Sequence, residues 1–236
     1  YAEVDLGRIE ENMEAMKEHL RPGTKMYGVV KTDAYGHGAV PVARTIDRFV
    51  CGYAVATVDE GLKLRRHGIE KEILSLGPVS AGRYQECLEN DISLPVFEYR
   101  RAKELSDAAA AEGKTAKIHI AVDTGMSRIG LFPDEGSVET VKEIAELPAL
   151  RIAGMFTHFA RADEADKTNA GEQFRRFREF CDDVKAAGVA VPVCHCSNSA
   201  GIVELPDFNM DAVRAGITIY GLYPSDEVKQ DIIFLK

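Results

Sequence analysis

The chain has 236 residues, 45% of them hydrophobic and 28% charged, with a formal net charge of −9. That is the make-up of one globular domain with a sizeable core, and a single α/β barrel commonly runs this long. The acidic balance excludes the basic footprint of a nucleic-acid binder and disfavours an anionic membrane surface. With no long apolar run, signal-peptide pattern or low-complexity tract in the sequence, a cytoplasmic location is expected. Five cysteines (Cys51, Cys87, Cys181, Cys194, Cys196) are odd in number and lack small-domain spacing, so no disulfide framework is expected. Tyr1 rather than Met opens the chain, so it is expected to be cut from something longer.

A helical pattern over 9–19 comes first. Strand candidates follow at 25–30, 52–56, 72–76, 92–97, 117–122, 151–157, 191–196 and 212–213. Between them lie helical patterns at 40–49, 58–66, 81–89, 100–111, 137–147, 173–187 and 199–205, with Gly and Pro at many of the joints. Such alternation reads as βα units around a parallel sheet, and eight units predict a (β/α)8 TIM-type barrel. A doubly wound open sheet competes, weakened by the missing Gly-x-Gly-x-x-Gly fingerprint after the first strand.

Polar residues collect where these strands end. The first strand runs into Val29-Val30-Lys31-Thr32-Asp33-Ala34-Tyr35-Gly36-His37-Gly38. A lysine at a buried strand end is costly to keep charged, so its amine tends toward a lower pKa and toward Schiff-base chemistry with an aldehyde cofactor. A lone lysine there reads more simply as a surface residue; the other strand ends tip the balance. The fifth strand is followed by Asp123-Thr124-Gly125-Met126-Ser127-Arg128-Ile129-Gly130, and the sixth ends in Thr157-His158-Phe159-Ala160. Cys194-His195-Cys196 invites a metal, but strand alternation puts the two thiols on one face and the histidine on the other, so no metal is expected. Ser197-Asn198-Ser199 opens a helix and reads either as a plain N-cap or as an anion site. After the eighth strand comes Arg214-Ala215-Gly216-Ile217-Thr218-Ile219-Tyr220-Gly221, where Gly216 permits close approach to a phosphate. Barrel enzymes place function at strand C-termini and phosphate after strands seven and eight.

These strings, in this order and over nearly the whole chain, resemble the alanine racemase family. The resemblance implies a pyridoxal 5′-phosphate enzyme that interconverts L- and D-alanine, supplying D-alanine for peptidoglycan. Lys31 then corresponds to the lysine that holds the cofactor and serves as one catalytic base. Tyr35, Asn198, Ser199, Gly216 and Ile217 match positions that hold the phosphate. Arg128 matches the arginine at the phenolic oxygen near the substrate, His158 the supporting histidine, and Arg214 the arginine facing the pyridine nitrogen. A guanidinium there leaves the ring nitrogen unprotonated and the electron sink weak, which suits racemisation better than transamination.

Two departures stand out. Ala121 occupies the position of a lysine that many members carbamylate to orient the arginine, so Arg128 needs another partner. The resemblance also implies a C-terminal β-rich domain, largely missing here, that carries a second catalytic base into the partner subunit of a homodimer. Residues 1–225 are therefore expected to form the barrel and 226–236 the start of a linker or second domain. The expected chain binds pyridoxal phosphate and racemises poorly alone. A serine racemase of the same family and a non-catalytic pyridoxal-phosphate carrier barrel are the alternatives.

Overall fold

The structure, a computed structural model, describes residues 3–236. Eight parallel strands close on themselves in sequence order. They are β1 (Lys25–Val29), β2 (Gly52–Val55), β3 (Glu72–Ser75), β4 (Ile92–Val96), β5 (Ala116–Ala121), β6 (Leu150–Phe156), β7 (Cys194–His195) and β8 (Ala212–Ala215). The last returns to the first through Lys25 opposite Ala212 and Gly28 opposite Ala215. Strands covered on both faces read as near-continuous apolar runs, which is why the sequence shows blocks of Val, Ile, Leu and Ala rather than alternation. The predicted TIM-type barrel is the observed architecture.

Helices α3 (Ala39–Ile46), α4 (Val58–Arg66), α5 (Tyr84–Glu89), α6 (Tyr99–Ala111), α7 (Glu135–Ala145), α8 (Thr168–Ala186) and α9 (Ser199–Glu204) follow successive strands. Only a short 3₁₀ turn, Ile217–Tyr220, follows β8. Its place in the outer ring is taken by α1 (Leu6–His19), which packs between α9 and α3. Buried Asn12 of α1 donates to the Ile219 and Lys236 carbonyls and accepts from the Lys236 N–H, tying the two ends of the chain together. Among the described residues, no helix is long and apolar enough to cross a membrane.

Three local differences from the sequence-based expectation have physical causes. The β7 ladder is two residues long rather than six, because Pro192 has no N–H to donate and the Asp211 carboxylate takes the Cys194 N–H. Helix α8 begins at Thr168 and not at the expected 173, with the Asp166 side chain accepting the Thr168 N–H and Ala170 opening the buried stripe. The third lies directly after Lys31. The segment α2 (Lys31–Tyr35) is a left-handed turn, with φ of 55°, 51°, 56° and 53° at Thr32, Asp33, Ala34 and Tyr35. Left-handed helical geometry costs an L-residue about 1–2 kcal/mol, so four in a row persist only when neighbours hold them.

Candidate active site

The holding groups come from α4. Glu60 accepts the Thr32 N–H at 2.6 Å and the Ala56 N–H at 2.7 Å, joining the ends of β1 and β2. Asp33 accepts the Ala39 N–H at 2.9 Å and the Lys63 ammonium at 2.7 Å. These contacts keep its carboxyl below the usual range, the Ala39 N–H first among the causes. So braced, the left-handed turn carries Lys31 and Tyr35 to the same wall of the barrel mouth. The Lys31 ammonium lies 5.7 Å from the centre of the Tyr35 ring, and the residue is partly exposed.

A cavity of about 540 Å³ opens there, at the C-terminal ends of the strands. All nine residues singled out from the sequence line it: Lys31, Tyr35, Arg128, His158, Asn198, Ser199, Arg214, Gly216 and Ile217. They reach it by different routes. Arg214 lies inside β8 and is buried, whereas Arg128 sits in the loop after β5 and is exposed. That loop is shaped by Asp123, whose carboxylate accepts the Gly125 and Ser127 N–H groups at 3.0 and 2.9 Å. A Cβ on Gly130 would lie 2.3 Å from the Asp123 nitrogen, and its φ is +131°, so only glycine allows the return. Among the described residues no carboxylate pairs with Arg128, and Ala121 is buried without a polar group to offer.

The loops after β7 and β8 meet at Ser199. Its hydroxyl oxygen accepts from the Gly216 N–H at 3.0 Å and from the Thr218 hydroxyl at 3.0 Å. Asn198 caps α9, its side chain accepting the Gly201 N–H at 3.1 Å, and the residue also lines the cavity. A Cβ on Gly216 would stand 3.3 Å from the Tyr35 hydroxyl and 3.5 Å from the Ser199 hydroxyl. Two hydroxyls thus converge on a spot kept open by glycine and form a small polar cradle.

The cations share the cavity with this cradle. Arg214 donates to the Thr157, His195 and Cys196 carbonyls at 2.8, 3.1 and 3.0 Å. Burial lowers it to about 10, which leaves it charged at neutral pH. Its Nη2 lies 3.3 Å from His158 Nδ1, so His158 accepts there. Withdrawal from water, then the charges of Arg214, Arg128 and Lys31, push His158 down to about 3, so its imidazole is neutral at physiological pH.

Sequence reasoning missed two residues that place this group. Gln173 of α8 accepts the Ala160 N–H at 2.8 Å and donates to the His158 carbonyl and the Thr124 hydroxyl, both at 3.2 Å. It thereby locks together the loops after β5 and β6. Its signal was present: an amide in the buried stripe with Phe177, Phe180, Cys181 and Val184. Glu60 left a weaker one, since Thr57 and Glu60 also form an ordinary capping box.

A closed (β/α)8 barrel with a strand-end lysine, a cradle of hydroxyls at Gly216 and a buried arginine in one cavity defines a barrel whose polar site gathers at the C-terminal ends of its strands. The pattern described as "Alanine racemase, N-terminal domain" matches residues 4–224, and the chain belongs to that family. It is 45% identical over 237 residues to an alanine racemase of Clostridium novyi, covering 100% of this chain and 61% of that protein. It is 41% identical to one of Methanococcus maripaludis, covering 64% of it. The solved alanine racemase of Clostridium difficile 630 superposes with a TM-score of 0.96 at 38% identity, over 98% of this chain and 60% of that one. A further structure of that protein is a complex with cycloserine. The chain thus spans about three fifths of the length of the relatives it matches.

Proposed function

We propose that the chain is the cofactor-binding barrel of an enzyme that interconverts L- and D-alanine. One observation carries the reading: the Tyr35 and Ser199 hydroxyls converge on Gly216 in the cavity that also holds Lys31, His158 and Arg214. Tyr35, Asn198, Ser199, Gly216 and Ile217 would hold the phosphate of pyridoxal 5′-phosphate, and Lys31 would hold it at the aldehyde carbon. Bound there, the cofactor supplies an electron sink that makes the Cα–H of an attached amino acid acidic enough to remove. The Lys31 amine, released once the substrate amine takes its place, would take or return that proton on its own face. Arg214, with four of its five N–H groups directed to protein acceptors, has its Nε–H left for the ring nitrogen. A guanidinium donates and does not hand over its proton, so it would leave that nitrogen unprotonated. Neutral His158 supports Arg214, and Arg128, at the mouth of the same cavity, would face the phenolic oxygen and the substrate carboxylate.

Racemisation needs a proton carrier on each face of the carbon. The second belongs to the part of the protein beyond residues 1–225, with 226–236 leading into it, and reaches the site across a homodimer. Alone, the chain binds the cofactor and racemises poorly. Alanine is favoured over serine by the names of the relatives, which are alanine racemases; the same names weigh against a non-catalytic carrier. Titration of the purified chain with pyridoxal phosphate should give a saturable absorption band, and borohydride fixation should label Lys31 alone. Label scattered over surface lysines would overturn the assignment. In a longer protein carrying both domains, racemisation of serine faster than alanine would overturn the substrate.

A further inference from the structure

A line of hydrogen bonds runs from Arg214 through the barrel interior to the opposite side. Arg214 Nη1 lies 2.8 Å from His195 Nδ1. His195 Nε2 lies 3.1 Å from His119 Nδ1, and His119 Nε2 lies 3.2 Å from Glu72 Oε1. Glu72 also accepts from the Tyr27 hydroxyl and the Ser93 hydroxyl, each at 2.7 Å. Both histidines are fully buried.

The direction of every bond is forced. A guanidinium has only donors, so His195 Nδ1 accepts. The remaining proton of a neutral imidazole then sits on Nε2 and donates to His119 Nδ1. By the same step His119 carries its proton on Nε2 and gives the bond to the carboxylate. An imidazolium at either position would set two donors face to face. The backbone is cut to fit this line. A Cβ on Gly154 of β6 would lie 2.6 Å from His119 Nδ1, and one on Gly52 of β2 would lie 2.9 Å from the Tyr27 ring. His195 is stacked between Tyr27 and Phe156, with ring centres 5.3 and 5.4 Å away, which fixes its plane. Arg214 itself has no carboxylate partner among the described residues; Glu72 is the anion at the far end of its own hydrogen-bond line.

We propose that His195, His119 and Glu72 are positioning residues, a one-way donor relay that ties the Arg214 guanidinium to a distant carboxylate and so holds its free Nε–H on the cofactor's ring nitrogen. The last clause rests on the functional reading above; the relay does not. Two measurements separate them. Long-range ¹H–¹⁵N spectra of the histidine-labelled chain, assigned by single substitutions, should show His119 and His195 each with the proton on Nε2 and a bare Nδ1. A proton on Nδ1 of either ring would overturn the relay, whether or not any cofactor binds.

The second measurement compares the affinity for pyridoxal phosphate with that for its analogue carrying C–H in place of the ring nitrogen. The unmodified chain should prefer pyridoxal phosphate about tenfold, the scale of a hydrogen bond from a charged donor. Glu72→Leu should keep phosphate-driven binding of both ligands while that preference falls at least threefold. Equal weakening of both ligands would mean that Glu72 is merely structural and would overturn its positioning role. Binding of neither ligand by the unmodified chain would overturn the functional reading, leaving the tautomers to decide the relay.

Discussion

His158 illustrates how much a single site residue owes to its neighbours. An imidazole on its own titrates near 6.5, but seated in the cavity beside Arg214, Arg128 and Lys31 it is pushed down to about 3. The unfolded chain therefore binds a proton at this residue between those two values and the folded chain does not. Stability contributed by the neutral ring is complete above pH 6.5 and is lost as the pH falls from there toward 3. Burial, then the Arg214 charge, lowers His195 in the same sense. In urea unfolding followed against pH, His158→Gln should flatten the slope between pH 6.5 and 3 by up to one proton. An unchanged slope would show that His158 is protonated in the fold. The residue was legible in the sequence as a strand-end histidine. Its charge state was not, because two of the three cations come from β8 and the loop after β5.

At the scale of elements, the left-handed turn after Lys31 is the segment least consistent with local preference. Thr32, Asp33, Ala34 and Tyr35 have side chains that disfavour positive φ, and only the clamp from α4 makes the conformation tolerable. Glu60→Ala removes an acceptor shared by the Thr32, Ala56 and Thr57 N–H groups. It should lower stability by about 1–3 kcal/mol, the range for orphaned N–H groups, and should also slow borohydride-fixed labelling of Lys31 by pyridoxal phosphate. Loss of stability with Lys31 labelling unchanged would separate the clamp from the site. Helix and strand positions were otherwise read to within a few residues, since they follow from hydrophobic period and from Gly and Pro punctuation. The exceptions were α2 and β7, set by the distant Glu60 and Asp211, and the start of α8, set by nearby Asp166.

The whole molecule is a closed barrel whose interior holds a polar line as well as apolar side chains, and closure leaves no slack for it. His119 stands opposite Gly154 where the β5–β6 register shifts, a bulge that makes local room for the ring. Gly154→Ala would set its Cβ 2.6 Å from His119 and 2.7 Å from the Val193 carbonyl. Overpacking of this kind costs about 1–3 kcal/mol, so the urea midpoint should fall. The His119 imidazole signals should shift with it, while those of exposed His67 stay put. A variant as stable as the parent would mean that the barrel interior is looser than its packing implies.

Period, punctuation and the chemistry of strand-end residues were enough to specify eight βα units, the TIM-type barrel and seven of the nine residues that line its mouth; Tyr35 and Ile217 came with the family resemblance. These are properties of short stretches of chain. The family pattern carried by Lys31, Arg128, His158, Ser199 and Arg214 is likewise local. The left-handed turn, the charge state of His158, the cradle at Gly216 and the line from Arg214 to Glu72 were decided by tertiary structure alone. Each joins groups from different strands or helices, as His195 and Glu72 are joined through His119. A residue's hydrogen-bond direction and charge depend on which partners the closed barrel brings within about 3 Å, and the order of residues along the chain does not contain those distances.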